Sequence, residues 1–141
     1  MWRLVLLAAA VAAAGLVRGR IDVVEVRGRS MAPTLLPGDR LLVVRTGRPA
    51  RRGEIVLAPD PREPGRELVK RVVVVDREWA VLHGDNPARS TDARTFGPVP
   101  ADSLAWRVAL RYWPRHRAGR VPPGPSVEDA GETAPVVSPG R

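Results

Sequence analysis

Residues 67–73, with the sequence ELVKRVV, contain most of the most apolar strand-like segment of the chain, Leu68–Val75, which decides the fold class. Valine-rich runs of this length are typical of β-strands. Because a strand points successive side chains to opposite faces, Leu68, Lys70 and Val72 are predicted to share one face. Burial of a lysine in such a face disfavours the charged amine and lowers its pKa toward neutrality. The alternative interpretation is an edge-strand lysine whose amine reaches solvent.

Five further segments rich in valine and leucine are also predicted to be strands. Turn residues separate the strands, as in Pro37-Gly38-Asp39 and in residues 84–87, and no window supports a long amphipathic helix. The sequence therefore predicts a mainly β fold, a small antiparallel β-barrel or sandwich, in a folded domain spanning residues 21–113. The five segments are Val23–Val26, Leu41–Val44, Ile55–Ala58, Ala80–Leu82 and Leu104–Trp113.

The composition of the 141 residues limits the chemistry. The chain has room for one domain, and the absence of cysteine excludes disulfides, thiolate metal sites and a cysteine nucleophile. A net charge of +8 suggests an anionic partner. However, aromatic residues make up only 4% and no stacking motif is present, so a non-catalytic domain that binds nucleic acid or lipid ranks lower. Lys70 is the only lysine, and unlike arginine it can lose its proton and act as a base.

The amino-terminal segment is hydrophobic. Leu4–Val17 is an unbroken run of 14 apolar or small residues between Arg3 and Arg18. As a helix it would be about 21 Å long, shorter than a hydrocarbon core of about 30 Å unless flanking residues extend it. We predict residues 1–20 to be a membrane anchor; a cleaved signal peptide and a peripheral helix are the alternatives. The basic residues that follow the run outnumber Arg3, so the positive-inside rule would keep the folded domain in the cytoplasm.

The carboxyl-terminal segment, residues 114–141, is predicted to be a disordered tail. It contains six prolines and four glycines in 28 residues and has no apolar periodicity. Such a composition cannot bury enough apolar surface to offset the entropy lost on ordering.

Two further motifs accompany Lys70. Residues 28–34, GRSMAPT, follow the first predicted strand, and the chain must leave the sheet before Pro33, which places Ser30 exposed on a turn. Taken alone, such a serine more often caps a turn than attacks a carbonyl group. Residues 84–94, GDNPARSTDAR, hold a Gly-Asp-Asn turn followed by a Ser-x-Asp-x-Arg pattern.

These segments, in this order and at these spacings, resemble the type I signal peptidase family, membrane-anchored serine-lysine peptidases that remove leader peptides. The resemblance implies that Ser30 is the nucleophile and Lys70 the general base. It implies that Ser90 hydrogen-bonds to the lysine and orients it. Asp92 and Arg94 are expected to form a structural ion pair near the site. The family uses neither a metal ion nor a cofactor.

The resemblance covers roughly residues 23–100 and has two departures. Many bacterial members carry a second serine, two residues before the nucleophile, that helps to bind the oxyanion, whereas this chain has Gly28. The interval between Lys70 and Gly84 is also too short for the second β domain of larger members. The chain is therefore similar to the minimal forms, such as the mitochondrial inner-membrane peptidases and small actinobacterial-type enzymes.

The resemblance implies a membrane-associated serine endopeptidase. Its partners are expected to be leader peptides of precursor proteins and membrane lipid, but not nucleic acid. By family likeness it is a single-pass protein of the cell membrane with an extracytoplasmic catalytic domain, although the positive-inside rule argues the reverse. An alternative is a dedicated protease that matures nickel-type superoxide dismutase by removing a short amino-terminal extension. A self-cleaving regulator is disfavoured because residues 1–20 cannot supply a helix-turn-helix.

Overall fold

A computed structural model describes residues 2–90 and 93–122, apart from the side chains of Arg3, Ala93 and Arg94. This part of the chain contains two α-helices, α1 (Trp2–Arg18) and α2 (Ala93–Phe96). It also contains short 3-10 turns at Pro87–Arg89, Ala101–Ser103 and Arg115–Arg117. The strands are β1 (Ile21–Glu25), β2 (Arg40–Arg45), β3 (Ile55–Pro59), β4 (Glu67–Val75), β5 (Trp79–His83), β6 (Val99–Pro100) and β7 (Trp106–Trp113).

All seven strands belong to one sheet with the order β1-β2-β7-β3-β4-β5-β6, and every neighbouring pair is antiparallel. The predicted mainly β fold is confirmed, and each of the six predicted segments overlaps a strand. Strand β6 was not predicted, because two residues are too few to show a periodicity. Within the described residues, β1 and β6 are the two edges and do not pair, so the sheet is not closed into a barrel.

The sheet separates two apolar clusters, and β3 contributes to both. Val56 and Ala58 belong to one cluster, whereas Ile55 and Leu57 belong to the other. This division follows from the alternation of side chains along a strand. Lys70 of β4 is paired with Val56 across the ladder, so its side chain emerges on the face of the first cluster.

Helix α1 confirms the predicted amino-terminal hydrophobic helix. Its apolar side chains are exposed, including Trp2, Leu4 and Leu16, each with more than two thirds of its surface accessible. The residues that the structure describes include no helix with the length and apolarity needed to cross a membrane.

The chain continues along the folded domain beyond Trp113, where the sequence predicted a disordered tail. Arg115–Arg117 forms a 3-10 turn, and Gly119 forms a bridge with Arg111 of β7. Val121 packs against the second apolar cluster. The order of this segment comes from long-range hydrogen bonds of arginines, which leave no local pattern in the sequence. The rest of the predicted tail, residues 123–141, lies outside the described residues.

Candidate active site

Ser30 lies in the loop between β1 and β2, which is closed at its base. The N–H of Val26 donates to the Asp39 carbonyl, and the N–H of Gly38 donates to the Val26 carbonyl, both at 2.8 Å. Gly38 makes this closure possible because its φ of 90° is accessible to glycine at low cost. Met31, immediately after the half-buried Ser30, is fully buried in the core. Ser30 is therefore held at the margin of the core, at one end of the sheet.

Lys70 lies on β4 and is only 2% exposed. Its strand is paired on both sides, with β3 and with β5, so the edge-strand interpretation is wrong. The Lys70 Nζ donates a hydrogen bond to Ser90 Oγ at 2.8 Å. The predicted burial of this lysine is confirmed, and it lies in contact with the serine expected to orient it.

The tripeptide Gly84-Asp85-Asn86 joins the Ser30 loop to the segment that carries Ser90. A Cβ atom at Gly84 would overlap with both the Ser90 hydroxyl and the Ser30 carbonyl oxygen, so only glycine fits there. The Asn86 N–H donates to the Ser30 carbonyl at 2.9 Å. The Asn86 side-chain amide donates to the Arg29 carbonyl at 3.1 Å. These contacts join residues 29–30 to residues 84–90, two parts of the sequence that lie far apart.

The predicted site residues are assembled to different degrees. Lys70 and Ser90 touch, and the Ser30 backbone adjoins Ser90 at Gly84. Gly28 is exposed, with open space where a Cβ would lie. Two predicted residues are not tested by the structure. Asp92 and the side chain of Arg94 lie outside the described residues.

An ion pair that was not predicted lies next to Lys70. Arg71 donates to both carboxylate oxygens of Asp85, at 2.9 and 2.7 Å, and to the Gly53 carbonyl at 2.8 Å. The side chains of Arg71 and Asp85 are 9% and 4% exposed. Two parallel hydrogen bonds to a carboxylate fix the orientation of both groups. The pair therefore anchors the turn at residues 84–86 to the strand that carries Lys70.

We expect Asp85→Asn to lower the free energy of unfolding by about 3 kcal/mol, because it leaves the buried Arg71 charge without a counter-charge. Denaturant unfolding measures this change. Arg40→Gln is the matched control, since the Arg40–Glu25 pair is about half exposed on each side and should contribute less than about 1 kcal/mol. Equal losses in the two variants would contradict the anchoring role of Asp85.

A cavity of about 1220 Å³ lies at the opposite end of the sheet, between the end of α1 and the loops that follow β2 and β4. Its lining includes Arg48, which is already hydrogen-bonded to Glu54. Burial alone would raise the pKa of Glu54, but hydrogen bonds from Arg48 and from the Arg51 N–H outweigh burial and hold the pKa below its usual value. Because the cavity lining contains none of Ser30, Lys70 and Ser90, we do not place the active site there.

The family model described as signal peptidase, peptidase S26, matches residues 1–78. The match covers more than half of the chain and includes α1, the Ser30 loop and Lys70. The chain belongs to this peptidase family. The family membership that the sequence motifs indicated is thereby confirmed.

Curated members of the S26 family align with most of the chain. Mitochondrial inner membrane protease subunit 1 of Xenopus tropicalis is 30% identical over 128 residues, covering 74% of this chain and 77% of the relative. Mitochondrial ATP-independent inner membrane protease subunit 1a of Arabidopsis thaliana is 32% identical over 120 residues, covering 67% and 71%. Mitochondrial inner membrane protease subunit 2 of Schizosaccharomyces pombe is 28% identical over 127 residues, covering 72% and 69%. The chain is thus similar to both kinds of subunit.

Sequence reasoning missed several residues that hold this S26 site together. Glycine, aspartate and asparagine in the tripeptide at 84–86 indicate only a turn, although each contacts a different part of the site. Pro37-Gly38-Asp39 likewise indicates only a turn between two strands. Asp39 proves to be 2% exposed and ion-paired with Arg111 and Arg117. The signal that the sequence offered for these supporting residues was an aspartate directly after a turn glycine, at Gly38-Asp39 and at Gly84-Asp85.

Proposed function

We propose that this peptidase is a serine endopeptidase that removes amino-terminal leader peptides with a Ser30–Lys70 dyad. The observation that carries the proposal is the buried Lys70 amine, which lies 2.8 Å from the Ser90 hydroxyl and beside the turn that contacts Ser30. Burial disfavours the charged form of an amine, so Lys70 is suited to accept a proton at neutral pH. No other lysine is available for this role.

The reaction follows from these positions. Neutral Lys70 Nζ takes the proton of Ser30 Oγ as that oxygen bonds to the scissile carbonyl carbon. The ammonium so formed gives its proton to the leaving amine, the peptide C–N bond breaks, and an ester to Ser30 remains. Water, activated by the same amine, then hydrolyses the ester. In the substrate complex, Ser30 Oγ must lie within hydrogen-bond distance of Lys70 Nζ, and catalytic hydrogen bonds often reach their final geometry only there.

The Ser30 N–H is the proposed donor to the oxyanion. It makes no hydrogen bond with any residue that the structure describes, so it is available to a substrate oxygen. Gly28 provides no second hydroxyl. A single oxyanion donor commonly contributes about 3 to 4 kcal/mol to transition-state stabilisation. By family likeness, the substrate is an extended peptide with small side chains at the first and third positions before the cut.

We further propose that α1 attaches the enzyme to a membrane. The exposed leucine and valine side chains along the helix, together with the inner-membrane relatives, support this role. The basic side chains of Arg18 and Arg20, which follow the apolar part, suit the headgroup region.

The test is cleavage of a leader peptide by the purified full chain in detergent, with the products mapped by mass spectrometry. We expect one cut after a small residue, and no cut by Ser30→Ala. Cleavage by Ser30→Ala at the rate of the unmodified enzyme would overturn the proposed nucleophile. Absence of cleavage by the unmodified enzyme across leader peptides of varied sequence would overturn the proposed substrate class.

Ser90→Ala should lower kcat by about tenfold without abolishing cleavage. Loss of one hydrogen bond to the Lys70 amine costs about 1 to 1.5 kcal/mol, and the amine itself remains. KM should be unchanged because Ser90 orients the base and does not bind substrate. Ser103→Ala is the control, since its hydroxyl bonds to the Pro100 carbonyl away from the site. A loss as large as that of Ser30→Ala would show that Ser90 does more than orient Lys70.

A further inference from the structure

The segment that follows β7 turns back across the end of the sheet that carries the site. We call Pro114–Pro122 the clasp. The backbones of Arg111 and Gly119 exchange two hydrogen bonds, of 2.9 and 2.8 Å. At the end of the clasp, the Pro122 carbonyl accepts a hydrogen bond from Arg71 at 3.5 Å. The clasp therefore reaches from β7 to the residue next to Lys70.

The clasp also holds the loop that carries Ser30. Arg117 donates to Asp39 Oδ1 at 2.9 Å and to the Thr34 carbonyl at 3.3 Å. Arg111 donates to Asp39 Oδ2 at 3.3 Å and to the same Thr34 carbonyl at 3.0 Å. Asp39 Oδ2 in addition accepts the N–H of Leu36 at 2.9 Å. Two guanidinium groups thus fix one buried carboxylate and the middle of the loop.

The Ser30 loop is held only in part by its own backbone. Between Val26 and Asp39 the backbone makes five internal hydrogen bonds among the described residues, and two of them close the base of the loop. Met31 and Leu35 anchor one side of the loop in the apolar core. The arginines secure the opposite, polar side. Without them, the buried Asp39 carboxylate would lose its counter-charges.

We propose that the clasp positions the catalytic dyad and that Arg117 is its positioning residue. The inference rests on the proposed function, since it assigns catalysis to Ser30 and Lys70. One part of the clasp fixes the Ser30 loop through Asp39, and another contacts Arg71 beside Lys70. A displacement of about 1 Å between reacting groups can reduce a rate by about 100-fold. A clasp that touches both sides of the site is placed to prevent such a displacement.

The test compares Arg117→Gln with Arg115→Gln, using the full chain. Both residues lie in the same 3-10 turn, and both substitutions remove one positive charge. Arg115 is exposed and has no ion pair with a described residue. We expect Arg117→Gln to lower kcat by 10- to 100-fold with KM unchanged, and Arg115→Gln to change kcat by less than twofold. Arg117→Lys should restore part of kcat, because an ammonium can reach Asp39 but cannot contact several acceptors as a planar fork does.

Circular dichroism and thermal unfolding identify the temperature range in which each variant is folded, and kcat is measured within it. A lowered melting temperature with unchanged kcat in that range would overturn the inference and leave a purely structural role. If Arg117→Gln does not fold, Arg117→Lys takes its place, and a kcat equal to that of the unmodified enzyme would overturn the inference. Failure of the unmodified enzyme to cleave would instead count against the proposed function.

Discussion

Replacing Lys70 with arginine is expected to reduce leader-peptide cleavage by a factor of about 10³ or more. A guanidinium stays protonated at neutral pH and cannot take the proton of Ser30, although the positive charge is kept. Cleavage is followed by mass spectrometry, and circular dichroism checks that the variant is folded. A Lys70→Arg enzyme that retains more than a tenth of the activity would contradict the assignment of Lys70 as the base.

The composition of the chain permits a sharper control. The protein contains one lysine and no cysteine. The Lys70→Cys variant therefore has a single thiol and no lysine side chain. Treatment of the unfolded variant with bromoethylamine converts that thiol into a side chain close to lysine in length, ending in an amine. Activity should return after refolding. Lys70→Met, treated in the same way, should stay inactive, since it has similar bulk but gains no amine.

Gly84→Ala is expected to lower kcat by about 100-fold and the free energy of unfolding by about 1 to 3 kcal/mol. The added methyl group would overlap with the Ser90 hydroxyl and with the Ser30 carbonyl oxygen. The Ser90 hydroxyl can rotate away from the methyl group. The Ser30 carbonyl oxygen belongs to the backbone, so the Ser30 loop must shift. Peptide cleavage and denaturant unfolding measure the two losses.

Gly47→Ala is the matched control for this substitution. Gly47 has open space where its Cβ would lie, and its φ is not in the left-handed region. The same glycine-to-alanine change should therefore leave kcat within about twofold. If Gly84→Ala behaves like Gly47→Ala, the close approach of Gly84 to the two serines has no part in catalysis.

The strands and the candidate dyad could be predicted because their signals are local. Alternation along β4 alone assigned Lys70 to a buried face, and Pro33 alone required the chain to turn near Ser30. The resemblance then connected the two residues. Their direct contact remains a prediction, as does the ion pair of Asp92 with Arg94.

The supports of the site could not be predicted because they are long-range pairs of a very common residue. The chain has 22 arginines, and nothing local to Arg71 or Arg117 identifies its carboxylate partner. Arg117 and Asp39 are 78 residues apart in the sequence. The proline- and glycine-rich composition after Trp113 predicted disorder and did not reveal the ordered residues 114–122, because composition takes no account of charged hydrogen bonds to distant residues.

The distance in sequence between Asp39 and Arg117 affects when, during its synthesis, the chain can become active. During synthesis, the residues of the dyad leave the ribosome well before Arg117 does, because both precede it in the chain. A nascent polypeptide that ends short of Arg117 therefore contains the proposed nucleophile and base, yet lacks the ion pair between Arg117 and Asp39. If the clasp positions the dyad as proposed, proteolytic competence is acquired only late in translation.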